Sequence, residues 1–532
     1  MTAFEYRGDI IILDMGVQFP DEDMPGVDYI IPNIGYFKGK EKNIRAIILS
    51  HGHLDHIGAV SHLAPKLGNP LIVASPLTKA LVIKRHEEYK GLPKLKFREI
   101  TASNQTIKLG SFTLTFFAVT HSIMDSFGVV IQTPEGNIIH LGDWRYDLDP
   151  VAGKPTDFKH LAKWSTKNVP SVLMMESLGA IHEGHQGSEK EVHNNIKKII
   201  DGAKGRVIIG TFSSMLERIG QIIINAESAG RKVAVDGYSM KANVEIGKKF
   251  GYIKSKPHTI IDIAKANDYP NNKIVVICTG AQGEGRAVLM RIAEGEHKHV
   301  KVEKSDTIVF SSSVIPGNEL AVQRLKDSLY RKGAEVLHKE IMDVHAGGHA
   351  KRDDIRLLLK EVKPDFIIPV YANHYMLREA EKLAIREGWS PEKVMVADNG
   401  QVVVFEKGRG RLTNERVPTD YVFVDGLGVG DVSHVVLRDR QMMAADGMIV
   451  VIVTLDTRNA QLVQNPDLIS RGFIYMKENK KLIEETRRRV KKLFATAGPD
   501  SIDENYYKDR IRNEVGAFLY QKTQRRDRKS VV

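Results

Sequence analysis

The chain has 532 residues, 42% apolar and 27% charged, with a formal net charge of +11 and a pI near 9.2. That length exceeds what a single core organises, so two or three domains are expected, and no apolar run is long enough to cross a bilayer as a helix. The one cysteine, Cys278, excludes an internal disulfide framework.

Residues 1–9 carry charges where a secretion signal needs an apolar stretch, so a cytoplasmic location is expected, with no membrane partner. The positive charge favours a polyanionic partner, because basic clusters gain affinity by displacing counterions from phosphates. Charge alone does not choose one.

Up to about residue 180, short β-branched runs alternate with polar turns: Ile10–Leu13, Ala46–Leu49, Leu71–Val73, Phe112–Phe116, Val129–Ile131 and Asn137–Ile139. Strands so closely spaced predict stacked sheets. From about 188 to 340 the rhythm becomes helix then strand. Glu189–Ile200 precedes Arg206–Ile209, Ser214–Ala229 precedes Val233–Val235, and Ile274–Cys278 and Thr307–Phe310 follow. This pattern predicts an α/β module with a parallel sheet. Asp353–Glu361 and Phe366–Ile368 give one more helix and strand. Lys407–Arg411 reads as a connector, Asn479–Leu493 as a long basic helix in a terminal module, and Gln524–Lys529 as a frayed tail.

The chemistry concentrates in His51-Gly52-His53-Leu54-Asp55-His56, which follows an apolar run and precedes a helix starting near Ile57. Imidazole and carboxylate donors suit zinc, and a loop lets residues at i, i+2, i+4 and i+5 turn toward two ions. His121 and Asp143 each follow an apolar strand and precede a polar turn, and are further ligand candidates.

His51, His53, Asp55, His56, His121 and Asp143 resemble motifs two to four of the metallo-β-lactamase fold, and Asp14, in Ile12-Leu13-Asp14-Met15-Gly16, resembles its first motif. The following α/β stretch resembles the β-CASP insertion of the nucleic-acid-processing branch, with Glu176 at motif A and His349, in His345-Ala346-Gly347-Gly348-His349-Ala350, at motif B. Within that branch the chain resembles the ribonuclease J family along essentially its whole length. Thr279–Glu284, Ser311–Glu319, Asp425–Val432 and Ile469–Phe473 carry that likeness.

The resemblance implies an α/β chain: a metallo-β-lactamase αββα sandwich, an inserted α/β β-CASP domain and a small α+β C-terminal domain. The expected boundaries are 1–185 and 343–410 for the two parts of the sandwich, 186–342 for the insertion, 411–463 for remaining core strands and a linker, and 464–532 for the last domain. It implies two zinc ions per subunit, with manganese or magnesium as alternatives. His51, His53, His121 and Asp143 would hold one ion, and Asp55, His56 and a bridging Asp143 the other. It implies His349 as general acid oriented by Glu176, Asp55 among the catalytic residues, and a 5′-phosphate pocket from His345, Gly347, Gly348, Ser311, Ser312 and Ser313. Arg145 and Arg286 would track the RNA backbone. The implied partner is single-stranded RNA carrying a 5′-monophosphate, cut 5′-to-3′ with endonucleolytic cleavage as well, and a homodimer or homotetramer is implied.

This sequence departs from the family at three places. The family has a histidine after the Pro-Val that ends the strand corresponding to Phe366–Val370, and this chain has Tyr371-Ala372-Asn373-His374. Either His374 supplies the missing nitrogen to the second ion, or Tyr371 ligates, or that site is weak. Gly347 stands where the phosphate pocket usually has a serine. The family also has a further strand upstream of the segment matching Met1–Arg7, so either a first hairpin is absent or the reading frame begins earlier. The alternatives are a DNA-acting β-CASP nuclease and a weakly catalytic RNA-binding subunit of a hetero-oligomer.

Overall fold

The computed structural model describes residues 1–21, 23–151, 153, 155–165, 169–456, 461–474, 478–495, 504–523 and 530–531; the tail 524–529 lies outside them. The chain divides into two units, 1–17 with 32–420, and 18–31 with 421–532. Among the described residues no helix is long and apolar enough to cross a membrane.

In the first unit, alternating apolar side chains build two sheets that face each other. One runs Thr2–Tyr6, Asp9–Leu13, Ile44–Ile48, Leu71–Ala74 and Lys96–Glu99, antiparallel only at its first pair. The other runs Phe366–Val370, Ser171–Glu176, Gly136–His140, Phe127–Thr133, Phe112–Ala118 and Thr106–Leu109. Ile11, Leu13, Ala46 and Ile48 of the first meet Leu114, Phe116, Val129 and Ile131 of the second in one core. Residues of opposite parity in the second sheet, such as Val130, Ile139, Leu173 and Ile367, pack under the helices Phe158–Ser165, Arg352–Val362 and His374–Arg386. Each fully buried Leu, Ile or Phe contributes roughly 1.5–3 kcal/mol, so this two-faced burial fixes which strand ends can converge.

A third sheet, all parallel, has the order Ile260–Ile261, Lys232–Asp236, Ile274–Cys278, Val207–Thr211, Thr307–Ser311 and Glu335–Leu337. Val207, Ile209, Val275 and Ile277 face the helices Glu189–Gly202, Leu216–Ser228 and Tyr238–Lys249. Ile208, Val276 and Ile308 face Val288–Glu294 and Glu319–Arg331. Helices on both faces explain why these strands read as unbroken apolar runs.

The second unit joins Tyr29–Ile31 to Val422–Asp425 in an antiparallel pair. Its other sheet, Asp467–Arg471, Met448–Ile452 and Ser530–Val531, shares an apolar core with the helices Lys480–Ala495 and Glu504–Thr523. Residues 18–31 thus group with 421–532 instead of with the first sandwich segment, and residues 411–420 stay with the first unit. Lys407-Gly408 is not a connector. It is a two-residue turn with both φ positive (51° and 77°), closing the hairpin Gln401–Glu406 with Arg409–Arg416.

Candidate metal centre

The strand Ile44–Ile48 delivers His51 to the sheet end, and the backbone then makes one helical turn, Leu54–Ile57, with His53 as its N-cap. Asp55 and His56 therefore lie on a short helix and not on a loop. This turn sits tightly on Gly16, where an added Cβ would lie 1.5 Å from the Asp55 carbonyl oxygen, so only glycine fits.

The structure brings His51, His53, His121 and Asp143 together, and beside them Asp55 and His56 around the same Asp143, with the donor atoms of each group within 4.8 Å of one another. His53 Nδ1 lies 3.1 Å from both His51 Nε2 and His121 Nε2. Asp143 Oδ2 is 3.8 Å from His51 Nε2, 3.7 Å from His121 Nε2 and 3.3 Å from His56 Nε2.

The other ring nitrogens fix which atoms face inward. His121 Nδ1 donates to the Gly348 carbonyl at 2.7 Å. Ser50 Oγ donates to Asp14 Oδ2 at 2.9 Å and so accepts from His51 Nδ1 at 3.0 Å. His56 Nδ1 donates to Asp14 Oδ2 at 2.7 Å. The Nε2 atoms of His51 and His121 are thus left as inward lone pairs, the state a metal needs, and His56 Nε2 faces inward beside Asp143. The His51 and His121 Nε2 lone pairs each lie 3.1 Å from His53 Nδ1, and donors about 2.0–2.1 Å from a tetrahedral zinc lie about 3.3 Å from each other. The donor set fits divalent cations.

Electrostatics agree at the first cluster, whereas at His56 burial is outweighed by Asp143 and Asp14, which hold it well above the ordinary histidine range, so a cation binding there replaces a proton. Burial drives His51 and His121 well below the ordinary histidine range and His53 to about 4, so all three are neutral near pH 7. Burial works against the Asp143 carboxylate, but His56, and then His51 and His349, hold it well below the usual carboxylate range.

His349 stands at the rim, 38% exposed, with Nδ1 3.4 Å from Glu176 Oε1 and 3.9 Å from Asp143 Oδ2. Glu176 is buried, and its Oε2 accepts from the Leu178 amide. Gly348 touches the centre directly, since a Cβ there would lie 2.6 Å from His121 Cε1. His345 is buried, with Nδ1 accepting from Arg218 Nη1 at 2.6 Å, which leaves its Nε2–H as a donor without a hydrogen-bond partner among the described residues. Ser313 is exposed and the Ser312 hydroxyl accepts from Gln282.

Three expected site residues lie elsewhere. His374 begins the helix His374–Arg386 and is 55% exposed, with Nδ1 3.4 Å from Asp398 and Nε2 accepting from Arg378; the helix start carries it away from the cluster. Ser311 is fully buried and donates its hydroxyl to Val344 O, so it braces the loop instead of facing a ligand. Arg145 is buried against Asp147 and does not line a groove, whereas Arg286 is exposed. Sequence reasoning also missed Ser50, which orients His51, and Gln186, whose amide nitrogen lies 2.8 Å from the place of a Cβ on Gly347. Ser50 adjoins His51 and carried that signal; Gln186 carried none.

The sandwich, the inserted parallel sheet and the His/Asp centre together define a metallo-β-lactamase-fold protein with a β-CASP insertion. Family descriptions match along the chain: "Beta-lactamase superfamily domain" over residues 32–159, "Ribonuclease J, beta-CASP domain" over 204–329 and "Ribonuclease J C-terminal domain" over 435–528. The chain is 35% identical to "Ribonuclease J 1" of Streptococcus pyogenes, across 98% of this chain and 93% of that protein. It is 34% identical to "Ribonuclease J2" of Bacillus subtilis, across 99% and 94%, and 36% identical to "Ribonuclease J" of Mycolicibacterium smegmatis, across 98% and 92%. A crystal structure of a protein of unknown function from Enterococcus faecalis V583 shares the fold, with a TM-score of 0.52 at 14% identity, covering 77% of this chain and 96% of that one. The chain belongs to the ribonuclease J family.

Proposed function

We propose that this protein is a metal-dependent ribonuclease that hydrolyses phosphodiester bonds of single-stranded RNA with two divalent cations, zinc by donor chemistry, at the His51–Asp143 centre. The observation that carries this reading is the convergence of three inward imidazole nitrogens on Asp143, which itself joins the Asp55 and His56 group. Cations held there supply Lewis-acid polarisation of a phosphoryl oxygen and acidify the attacking water. The relatives' printed names supply the substrate class.

The chain's own residues account for the rest. Asp14 and Ser50 hold His56 and His51 in the ligating tautomer. His349, kept protonated by Glu176, stands ready to give its proton to the departing ribose oxygen. The His345 Nε2–H, the Gly347-Gly348 backbone and Ser313 can receive a terminal 5′-phosphate, with the Gln186 amide beside Gly347 as an additional donor. That pocket supports 5′-to-3′ trimming in messenger RNA decay and ribosomal RNA maturation, with endonucleolytic cuts alongside. A cytoplasmic location and a homodimer or homotetramer complete the reading. The test compares the same RNA with a 5′-monophosphate and a 5′-triphosphate: the monophosphate is trimmed stepwise from its 5′ end, and equal rates on both would remove the pocket from the account.

A further inference from the structure

The two clusters are unequal. Among the described residues the first offers four donors, His51, His53, His121 and Asp143, and the second offers Asp55, His56 and a shared Asp143. The strand Phe366–Val370 ends beside the second cluster, and its next residue, Tyr371, takes φ of +60°, which a bulky side chain rarely adopts. That turn aims the phenol at the centre. Its ring lies edge-on to His56 and to His140, each 5.4 Å between centroids. The hydroxyl donates to Asp14 Oδ2 at 3.2 Å. Asp14 Oδ2 also accepts from His56 and Ser50, and its Oδ1 accepts from the Ser50 amide, so one carboxylate gathers four hydrogen bonds.

We propose that Tyr371 is a positioning residue and not a ligand: it clamps Asp14 and thereby His56, and leaves the second cation site with three protein donors, so that the first site fills tightly and the second weakly. A neutral phenol whose hydrogen is committed to a carboxylate is a poor donor to a divalent cation, for which Cys, His, Asp and Glu are the usual ligands. His374, the other candidate, is engaged with Asp398 and Arg378. The inference rests on the cation-binding reading above and concerns its second site.

The test is a titration of metal-stripped full-length protein with Co2+, followed by visible absorption and calorimetry without RNA. The wild type takes one tight equivalent and a second at least about tenfold weaker. Tyr371→Phe weakens the second by about 10-fold, as loss of an outer partner does, with an unchanged Co2+ spectrum and an unchanged first site. Tyr371→His, which puts an imidazole at the same turn, tightens the second equivalent by 10-fold or more. Retention of the first tight site reports that each variant has folded. Two equal tight sites in the wild type, or a changed second-site spectrum in Tyr371→Phe, would overturn the inference. Loading as predicted by a protein that leaves RNA intact supports the inference and refutes only the ribonuclease reading.

Discussion

His56 Nδ1 lies 2.7 Å from Asp14 Oδ2 across 42 residues of chain. The carboxylate can only accept, so it holds the proton on Nδ1 and turns Nε2 toward Asp143. The backbone sets this geometry: the Asp14 amide donates to Ile48 O and the Met15 amide to His56 O, which ties the two motifs together before any side chain acts.

Asp14→Asn keeps the shape but can present an N–H to His56 Nδ1–H. Metal affinity at the second site should fall about 10–100-fold, as for other outer partners of ligating histidines. Equilibrium dialysis against a buffered cation checks this, and unchanged affinity would remove Asp14 from the account.

With His349 as the proposed general acid, its titration should set the alkaline limit. Burial opposes its charge, but Glu176, and then Asp143 and Asp55, outweigh this and raise it to about 9. The acid form is present below that value and is lost as pH rises through it; bound cations act the opposite way, toward the ordinary value of about 6.5. The alkaline limb of kcat should therefore fall between about 6.5 and about 9. His349→Gln should lower kcat by about 10²–10⁴ and abolish the limb. A pH profile in which the variant keeps the limb would assign it to another group.

Gly16→Ala puts a Cβ into the Asp55 carbonyl. The loss of stability should reach at least the usual 1–3 kcal/mol of overpacking, together with loss of bound metal. Gly187→Ala, where none of the described residues lies within 4 Å of the new Cβ, is the matched control and should stay within about 0.5 kcal/mol. Thermal unfolding and metal content separate the two.

Arg218 is buried against Glu189 and also donates to Ser311 O and His345. Arg218→Met strands the Glu189 carboxylate, with Arg145 Nη1 at 3.9 Å as its remaining ion pair among the described residues. The cost should be about 3 kcal/mol, the low end for a broken buried pair, and adding Glu189→Met should recover part of it. Urea unfolding of the single and double variants checks the sign.

The centre was legible because its first four donors fall within six residues, at the end of a β-branched run whose partners alternate with period two. The run Val172-Leu173-Met174-Met175 lies inside the second sheet yet lacks alternation and carries one β-branched residue, Val172, so little local marked it as a strand. The pairing of Tyr29–Ile31 with Val422–Asp425 depends on contacts hundreds of residues apart. The hairpin at Lys407-Gly408 did carry a turn signal, but the polar strand Arg409–Arg416 disguised it as a linker. His374 looked suited to ligation by spacing from Val370. The left-handed turn at Tyr371 and the helix that starts at His374 redirect both side chains, and neither is written in residue type.

The measurement that bears most directly on the central claim is cleavage of an end-labelled, 5′-monophosphorylated single-stranded RNA by metal-stripped protein before and after addition of Zn2+ or Mn2+, beside Asp143→Asn and a matched DNA strand. Stripped protein should not cleave, added cation should restore cleavage, Asp143→Asn should not recover it, and RNA should be cut in preference to DNA. Cleavage at wild-type rates by the stripped protein or by Asp143→Asn would contradict the claim, as would cutting of the DNA strand alone.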